Sequence, residues 1–471
     1  MEEFYTGVGG LHKTQDDYIN GGADIFGDTQ VDKACISGFE AAYYPTNEAP
    51  EGPFIFYIPG ESDTYVDPQT FRLSGYTSIK KVSPTTGQLV DIDEGEDVAP
   101  INFLPGMAFQ SKQFDINGVA VNYITQPLEN YKAYFETLLS YGGESKDTIL
   151  RKCVNWMPDA HGEMEDMKSK HKTYKISLDD QSKLTAKEIT IPNAWEARKN
   201  LWAKSARVPF SMPLHMDVLT TDRFLPKDIN ITIKLTKTRD EVLYTAATVS
   251  GNYRILFHNL KLMVNRIKML PSLIQDHEKR FAAGELARFP YTRTDSKFVT
   301  IAKGESSFRT HNIFRKWLPN SAIVFFVDSA ALTGSRSKNA LNFQNFNVEK
   351  LYCLKKAQEV PPNGYVQDYE NNDFAETYRR VFDEIGIRTN TLGINLTAED
   401  FKNGYNFYAF DFSPDKCNSF HAHQRDAGGI DFGVVFKKAT TTQISMVILC
   451  QYDDEFKLDA RRNVVGTVEP N

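Results

Sequence analysis

Cysteine is scarce in this chain and never paired along it. The five residues Cys35, Cys153, Cys353, Cys417 and Cys450 are far apart, odd in number and form no CxxC. That argues against a disulfide framework or a paired-cysteine zinc site, and for reduced thiols, mostly in cores, in a reducing compartment. Basic charge is not in excess either: 54 Lys and Arg stand against 61 Asp and Glu, a net charge of −7. A protein built mainly to grip nucleic acid carries a strong basic surplus, so at most a weak, non-specific contact with DNA is expected. No apolar run reaches the roughly 18 residues of a membrane-spanning helix. The opening MEEFYTGVGG lacks the basic and apolar regions of a secretory leader. The sequons Asn230-Ile231-Thr232 and Asn395-Leu396-Thr397 then read as chance matches. A P-loop, a GxSxG elbow, an HExxH pair and a GxGxxG turn after a strand are also missing. The sequence nominates no catalytic, cofactor-binding or metal-binding residue, and a protein that is not an enzyme is expected.

What the chain has in quantity is apolar and aromatic. Its 471 residues are 41% hydrophobic and 12% aromatic, with 32 Phe and 22 Tyr, enough for two full cores and rich in strand-forming residues. It also says one thing twice. ENYKAYFETLLSYGG at 129–143 and NDFAETYRRVFDEIG at 372–386 align at a shift of 243 positions. Tyr131 then falls on Phe374, Phe135 on Tyr378, Leu138 on Val381, Leu139 on Phe382 and Gly143 on Gly386. The spacing is that of one apolar helix face. Each helix follows an extended segment and a turn, and each precedes several strand-like segments, so two similar domains are predicted.

A glycine-rich arm is expected at 1–30, a first unit at 31–270, a second at 271–460 and a C-terminal tail at 461–471. In the first unit, 53–58, 70–82, 206–218 and 228–236 read as extended, and 88–99 as an acidic loop. Residues 108–125 form a hairpin around Asn117-Gly118. Residues 253–269 are apolar on both faces, with Leu256, Leu260, Leu262 and Val264 on one side and Ile255, Phe257, Met263 and Ile267 on the other. The polar stretch 144–205, with Trp156, Trp195 and Trp202, is a long insertion. Residues 271–289 read as a short helix and connector. In the second unit strands are expected near 297–302, 322–328, 347–354, 404–412, 430–437 and 442–452. Many strands, few helices and two halves give an all-β fold with minor helices: two eight-stranded jelly-roll sandwiches side by side.

Candidate chemistry is thin, and each item has a plainer reading. His421 and His423 offer two metal ligands without a third. Asp91, Asp93, Glu94, Glu96 and Asp97 lack the EF-hand spacing and read as a solvated loop. His215 and His258 lie in strand-like runs and read as structural residues. Asp217, Asp222 and Asp411 are candidate glycosidase carboxylates, though nothing in the sequence pairs them. The three tryptophans read as packing for the insertion rather than as sugar platforms. Arg461-Arg462 reads as an ordinary solvated end.

Six segments carry a resemblance: FIFYIPGESDTYVD (54–67), FDINGVAVN (114–122), YKAYFETLLSYG (131–142), PFSMPLHMDVLTTDRFLPKDINITIKLTKTRDE (209–241), NGYNFYAFDFSPD (403–415) and DARRNVV (459–465). In order and spacing the chain resembles the double jelly-roll, hexon-like major capsid proteins of Polinton (Maverick) elements and adintoviruses. The resemblance implies a homotrimer of six similar barrels, a pseudo-hexagonal tile of an icosahedral capsid around double-stranded DNA. It implies neighbouring trimers and minor capsid or penton proteins as partners and no cofactor. It also implies a virion protein, made in the cytosol of an infected cell and assembled there or in the nucleus. The insertion 144–205 is then a candidate outer tower or inter-subunit clamp, and the arm a tie to neighbouring tiles. The rival readings are a carbohydrate-binding or glycoside-hydrolysing twin sandwich and a minor capsid component.

Overall fold

The computed structural model describes residues 34–466, apart from 48, 50, 123–125, 169, 177–186, 248–250, 388–392 and 417–425. The expected arm 1–30, Cys417 and the pair His421 and His423 lie outside the described residues.

Eight strands build the first barrel: β1 (Cys35–Tyr43), β2 (Phe54–Ile58), β3 (Arg72–Val82), β4 (Phe109–Ile116), β5 (Val119–Ala120), β6 (Val208–Pro213), β7 (Ile231–Lys237) and β8 (Tyr253–Met269). Eight more build the second: β9 (Ala287–Ile301), β10 (Ser307–Arg309), β11 (Ser321–Asp328), β12 (Val348–Lys355), β13 (Gln358–Val366), β14 (Phe407–Asp411), β15 (Ile430–Phe436) and β16 (Ile444–Leu458). The first barrel's sheets run β1-β8-β3-β6 and β2-β7-β4-β5, the second's β9-β16-β11-β14 and β10-β15-β12-β13. Adding eight to each label of the first barrel yields the second, so the topology is duplicated and the fold is a double jelly roll. The repeated helices occupy the same place, between the fifth and sixth strands of each barrel: α1 (Glu129–Ser140) in the first and α3 (Ala375–Glu384) in the second. Between the barrels lies α2 (Pro271–Ala282).

Local chemistry explains the elements. In β7, Ile231, Ile233 and Leu235 are buried while Lys234 between them is exposed, the alternation of a strand with one dry face. Asn117 and Gly118 both take positive φ, 49° and 82°, as a two-residue turn between β4 and β5 requires. The prolines at 361 and 362 spoil the strand signal of β13, yet β13 is an edge strand, where a missing N–H is tolerated.

The strands alternate in direction, so the β2–β3, β4–β5 and β6–β7 connections share one end of each barrel, and the others share the opposite end. Helix α2 joins the end of β8 to the start of β9, both at the first of these ends, so the two barrels stand with the same polarity. Contacts at each end agree. Asn117, in the β4–β5 turn, donates to the Arg462 carbonyl beyond β16 at 2.9 Å. At the other end Asn339, between β11 and β12, donates to Asp159 of the insertion at 3.2 Å.

Several expectations change. Strand β8 contains a bulge between His258 and Lys261. The extra residue flips the side-chain parity, so Ile255 and Phe257 point into the same core as Leu260, Leu262 and Val264. The outer face of β8 is consequently less apolar than a straight count suggests, with His258 half-buried and Lys261 exposed. The stretch 88–99 is not all loop, since Leu89–Asp91 pairs with β3 and Val98–Pro100 with Tyr244–Ala246. Strand β9 starts ten residues before 297, at Ala287. Its polar run Thr292–Ser296 hides the strand pattern because Thr294 and Ser296 hydrogen-bond with first-barrel residues. The insertion is more regular than expected, with an antiparallel pair His171–Ile176 and Lys187–Pro192 and a helix Ala194–Leu201. Trp156, Trp195 and Trp202 are buried, at 3%, 3% and 1% exposure, which fits packing rather than an open sugar platform.

The sequence repeat gives Phe135 and Phe382 similar weight, but Phe135 is buried and Phe382 only half-buried. Phe135→Asp puts an unpaired carboxylate between the barrels, at a cost of several kcal/mol, and is expected to yield no folded protein. Phe382→Asp is expected to fold. Circular dichroism and size-exclusion chromatography of both variants check this, and a normally folded Phe135→Asp would contradict it.

Candidate functional site

Helix α1 is apolar on more than one side, and that is why the barrels adhere. Tyr134 stacks on Trp156 at 5.4 Å and lies 6.4 Å from Phe103, facing the first barrel. Phe135 faces the second barrel, with ring centroids 4.9 Å from Phe325, 5.4 Å from Phe343 and 5.4 Å from Phe407. Tyr131 packs on Phe325 at 5.4 Å and donates to the Ala340 carbonyl at 3.1 Å. The register places Phe325, Val447, Ile323 and Leu449 on the same outward face of the β9-β16-β11-β14 sheet. The first barrel's helix thus covers the second barrel's outer sheet. Lys146 fastens the helix end by donating to the Leu138 carbonyl at 2.6 Å and to the Ile394 carbonyl at 2.7 Å.

A buried ionic cluster lies beside this apolar contact. Lys132 Nζ is 2.5 Å from Asp217 and 3.3 Å from Glu136, and Glu136 meets His215 Nδ1 at 2.8 Å. Asp217 accepts from the Thr294 backbone N–H at 2.8 Å and from its hydroxyl at 3.2 Å, which carries the cluster across to β9. Burial alone would lower the Lys132 pKa, but the charges of Asp217, Glu136 and Glu129 outweigh it and hold the ammonium well above its usual range. Burial likewise works to raise Glu136, and Lys132 with His215 overrides it to hold the carboxyl well below the ordinary range. His215 is driven down by burial despite its carboxylate partner.

Two clasps complete the seam. At one end Arg462 pairs with Glu278 at 2.5 Å and sits 3.9 Å over the Phe281 ring, both on α2. Arg462 is therefore not part of a solvated end, as its neighbour Arg461 is, because the turn after β16 presses it onto α2. At the other end Arg198 holds Asp159 through two bonds of 2.7 and 2.9 Å and donates to the Pro100 carbonyl at 2.7 Å. Tyr405 of the second barrel donates to the Asp159 carbonyl at 2.6 Å. The described part of the insertion thus acts as a clamp between the two barrels of one chain.

Among the described residues the corresponding sheet of the first barrel has no such cover. On the outer face of β1-β8-β3-β6, Arg72, Tyr76, Pro209, Pro213 and Lys261 are exposed. Tyr76 keeps 40% of its surface in water. Helix α3, the counterpart of α1, buries Val381 and Thr377 against its own barrel. It leaves Arg379 exposed and Tyr378 and Phe382 half-buried. This missing cover was not legible in the sequence, since it depends on which of two like sheets receives a helix.

The sequence candidates fall elsewhere. The acidic stretch is matched by lysines, not arranged around a cation. Asp91 pairs with Lys80 at 3.0 Å, Glu94 with Lys204 at 2.8 Å and Asp97 with Lys199 at 2.5 Å, and Glu96 pairs with Lys81. His258 bonds the Ser78 hydroxyl at 2.8 Å. Asp217 holds Thr294 on β9, whereas Asp411, at the end of the far strand β14, holds Ser413 just beyond it. Strands β9 and β14 are three strand spacings apart, roughly 14 Å, too far for a glycosidase pair at roughly 5–10 Å. Asp222 is exposed. A cleft of about 670 Å³ at the α2 end of the second barrel is lined by Trp317, Asp426 and Asp454 among others. There Asp426 lies 2.6 Å from Lys356, and Asp454 lies 3.3 Å from Arg293. Among the described residues no helix is long and apolar enough to cross a membrane, and no group of three His, Cys, Asp or Glu could hold a metal.

Two barrels of one topology and like polarity, joined by a helix-covered sheet, make this a double jelly-roll chain. In fold it resembles hexon-like major capsid proteins. A chain of the Sputnik virophage matches with a TM-score of 0.56 at 12% identity, covering 97% of this chain and 93% of that one. The Faustovirus major capsid protein matches with a TM-score of 0.51 at 9% identity, over 92% of each chain. In sequence, the uncharacterized protein F54H12.2 of Caenorhabditis elegans is 22% identical over 426 residues, 88% of this chain and 93% of its own length. No family model matches.

The buried Lys132 pair yields a sharp expectation. Lys132→Met strands Asp217 and Glu136 in the seam and should cost about 3–5 kcal/mol. Combining it with Asp217→Asn should recover part of that loss. Urea denaturation of the single and double variants measures both, and additive losses would contradict the pairing.

Proposed function

We propose that this chain is a major capsid protein that works by self-assembly. Three copies close into a homotrimer of six like barrels, and these pseudo-hexagonal tiles pave an icosahedral shell around double-stranded DNA. The observation that carries the reading is the unequal cover of two like sheets. Within one chain, the first barrel's helix lies on the second barrel's outer sheet. Among the described residues nothing covers the first barrel's own outer sheet, and the second barrel's helix has a half-exposed face of Tyr378, Arg379 and Phe382. Repeating the intrachain contact between chains matches these two surfaces. Such a head-to-tail contact generates a ring when its rotation closes, and six barrels supply it from three chains. The bare sheet is more polar than the covered one, as expected of a surface exposed to water before assembly.

In this reading the chain divides into an arm at 1–30, barrels at 31–270 and 271–460, and a tail at 461–471. The protein resides in the virion, and the arm contacts neighbouring tiles or minor capsid proteins. The absence of a basic surplus fits a shell wall that touches packaged DNA weakly. A carbohydrate-binding alternative draws on the cleft beside Trp317. Its Asp426 is held below the usual carboxylate range by Lys356, which disfavours that residue as a general acid.

Mass photometry at micromolar concentration is expected to find a trimer of the 53.5-kDa subunit, and electron microscopy to find six-sided particles. Tyr76→Asp alters an exposed residue of the bare sheet, so subunit stability should change by less than about 1 kcal/mol while the trimer is lost. A stable wild-type monomer, or a Tyr76→Asp protein that still trimerises, would overturn the reading.

A further inference from the structure

The apolar part of the seam is explained by adhesion, but its ionic part is not, because replacing such charges with apolar groups is often neutral or stabilising. The cluster runs from inside the first barrel to the second. Lys112 projects from β4 and is fully buried, with one long hydrogen bond of 3.4 Å to the His215 carbonyl. Glu129 opens α1 and is 9% exposed. Among the described residues no hydrogen bond reaches its carboxyl. The charged groups acting on Glu129 are Lys132 and Glu136 from α1, Lys112 from β4 and Asp217 from the segment after β6. His215, from that same segment, faces Glu136. On the second-barrel side Asp217 faces Thr294, flanked by Arg293 and Asp295.

Lys132 is shared by Asp217 and Glu136, and the other cation acting on Glu129 is Lys112, so among the described residues two cations face three carboxylates and Glu129 is the carboxyl left without a partner of its own. We propose that this cluster is a proton-governed latch between the barrels, with Glu129 as the switching group: it holds α1 most tightly in mild acid and loosens it near neutral pH. The inference concerns the seam within one chain and stands apart from how chains assemble.

The directions agree with that geometry. Burial raises the Glu129 pKa from 4.5 to about 7. When α1 lifts into water the group reverts toward its ordinary value, so the closed seam binds the extra proton between these limits. Opening therefore becomes easier as pH rises through that window, by up to about two orders of magnitude between pH 5 and 8. Burial lowers Lys112 from 10.5 to about 8. There the closed seam binds fewer protons than the open one, so the latch tightens again above pH 8. Asp295, raised by burial to about 6, adds to the loosening at the acid end of the first window, whereas His215, driven down by burial, binds fewer protons closed than open and offsets part of it below its ordinary value of 6.5.

The test is thermal unfolding followed by tryptophan fluorescence from pH 5 to 10, since Trp156 stacks against α1. The wild type is expected to melt highest near pH 5, lowest near pH 7.5, and to recover partly by pH 10. Glu129→Gln should melt higher than wild type at pH 7.5 and equal to it at pH 5, which flattens the acid limb. Lys112→Met should flatten the alkaline limb and keep the acid one. If Glu129→Gln leaves the shape of the profile unchanged, or lowers melting equally at both pH values, the latch is refuted. Lys112→Met keeps the idea testable if Glu129→Gln does not fold.

Discussion

The packing of Phe135 between Phe325, Phe343 and Phe407 is the contact on which the rest of the molecule depends. It belongs to a helix that one barrel donates to the outside of the other. A jelly roll needs no such helix to close its own core. Once the helix is spent on the neighbouring sheet, that sheet is apolar on both faces and cannot exist in water without it. The second barrel's Val447 and Phe407 are wholly buried for this reason. Tyr76 on the first barrel's counterpart sheet is not. Two barrels with one topology thereby acquire different chemistry, and the pair becomes a single folding unit rather than two beads.

The polar clasps set the geometry of that unit. Arg462, pressed against Glu278 and Phe281 of α2, fixes one end and Arg198 with Asp159 the other, so the barrels are held parallel and not merely stuck together. Buried charges contribute little net stability but are exacting about direction. That suits a subunit whose two barrels must present surfaces at a fixed angle. The Lys132 cluster sits midway between the clasps, where a change of charge alters the grip of α1 without releasing either end.

Much of this was legible in the sequence, for reasons that can be named. The helix repeat at 129–143 and 372–386 was visible because an amphipathic face leaves a period in the chain. Strand β7 was visible because one of its faces is dry. The clean turn at Asn117-Gly118 was visible because few residue pairs allow its backbone. Legibility failed wherever burial came from a distant element. Strand β9 reads as polar because Thr294 bonds Asp217, 77 residues away. Arg462 reads as a solvated end because its partner Glu278 lies 184 residues earlier. The bulge in β8 shifts the face of every residue beyond it and has no signature of its own. The seam cluster escaped for the same reason: His215, Asp217 and Lys132 look ordinary one at a time.

A side-chain-resolution cryo-EM map of the assembled protein tests the central claim most directly. The account predicts three copies, with helix 375–384 of each lying across Tyr76 and Lys261 of the next as Glu129–Ser140 lies across Phe325 within one chain. A map in which that sheet still faces solvent, or in which the first and second barrels of one chain have come apart, would contradict it.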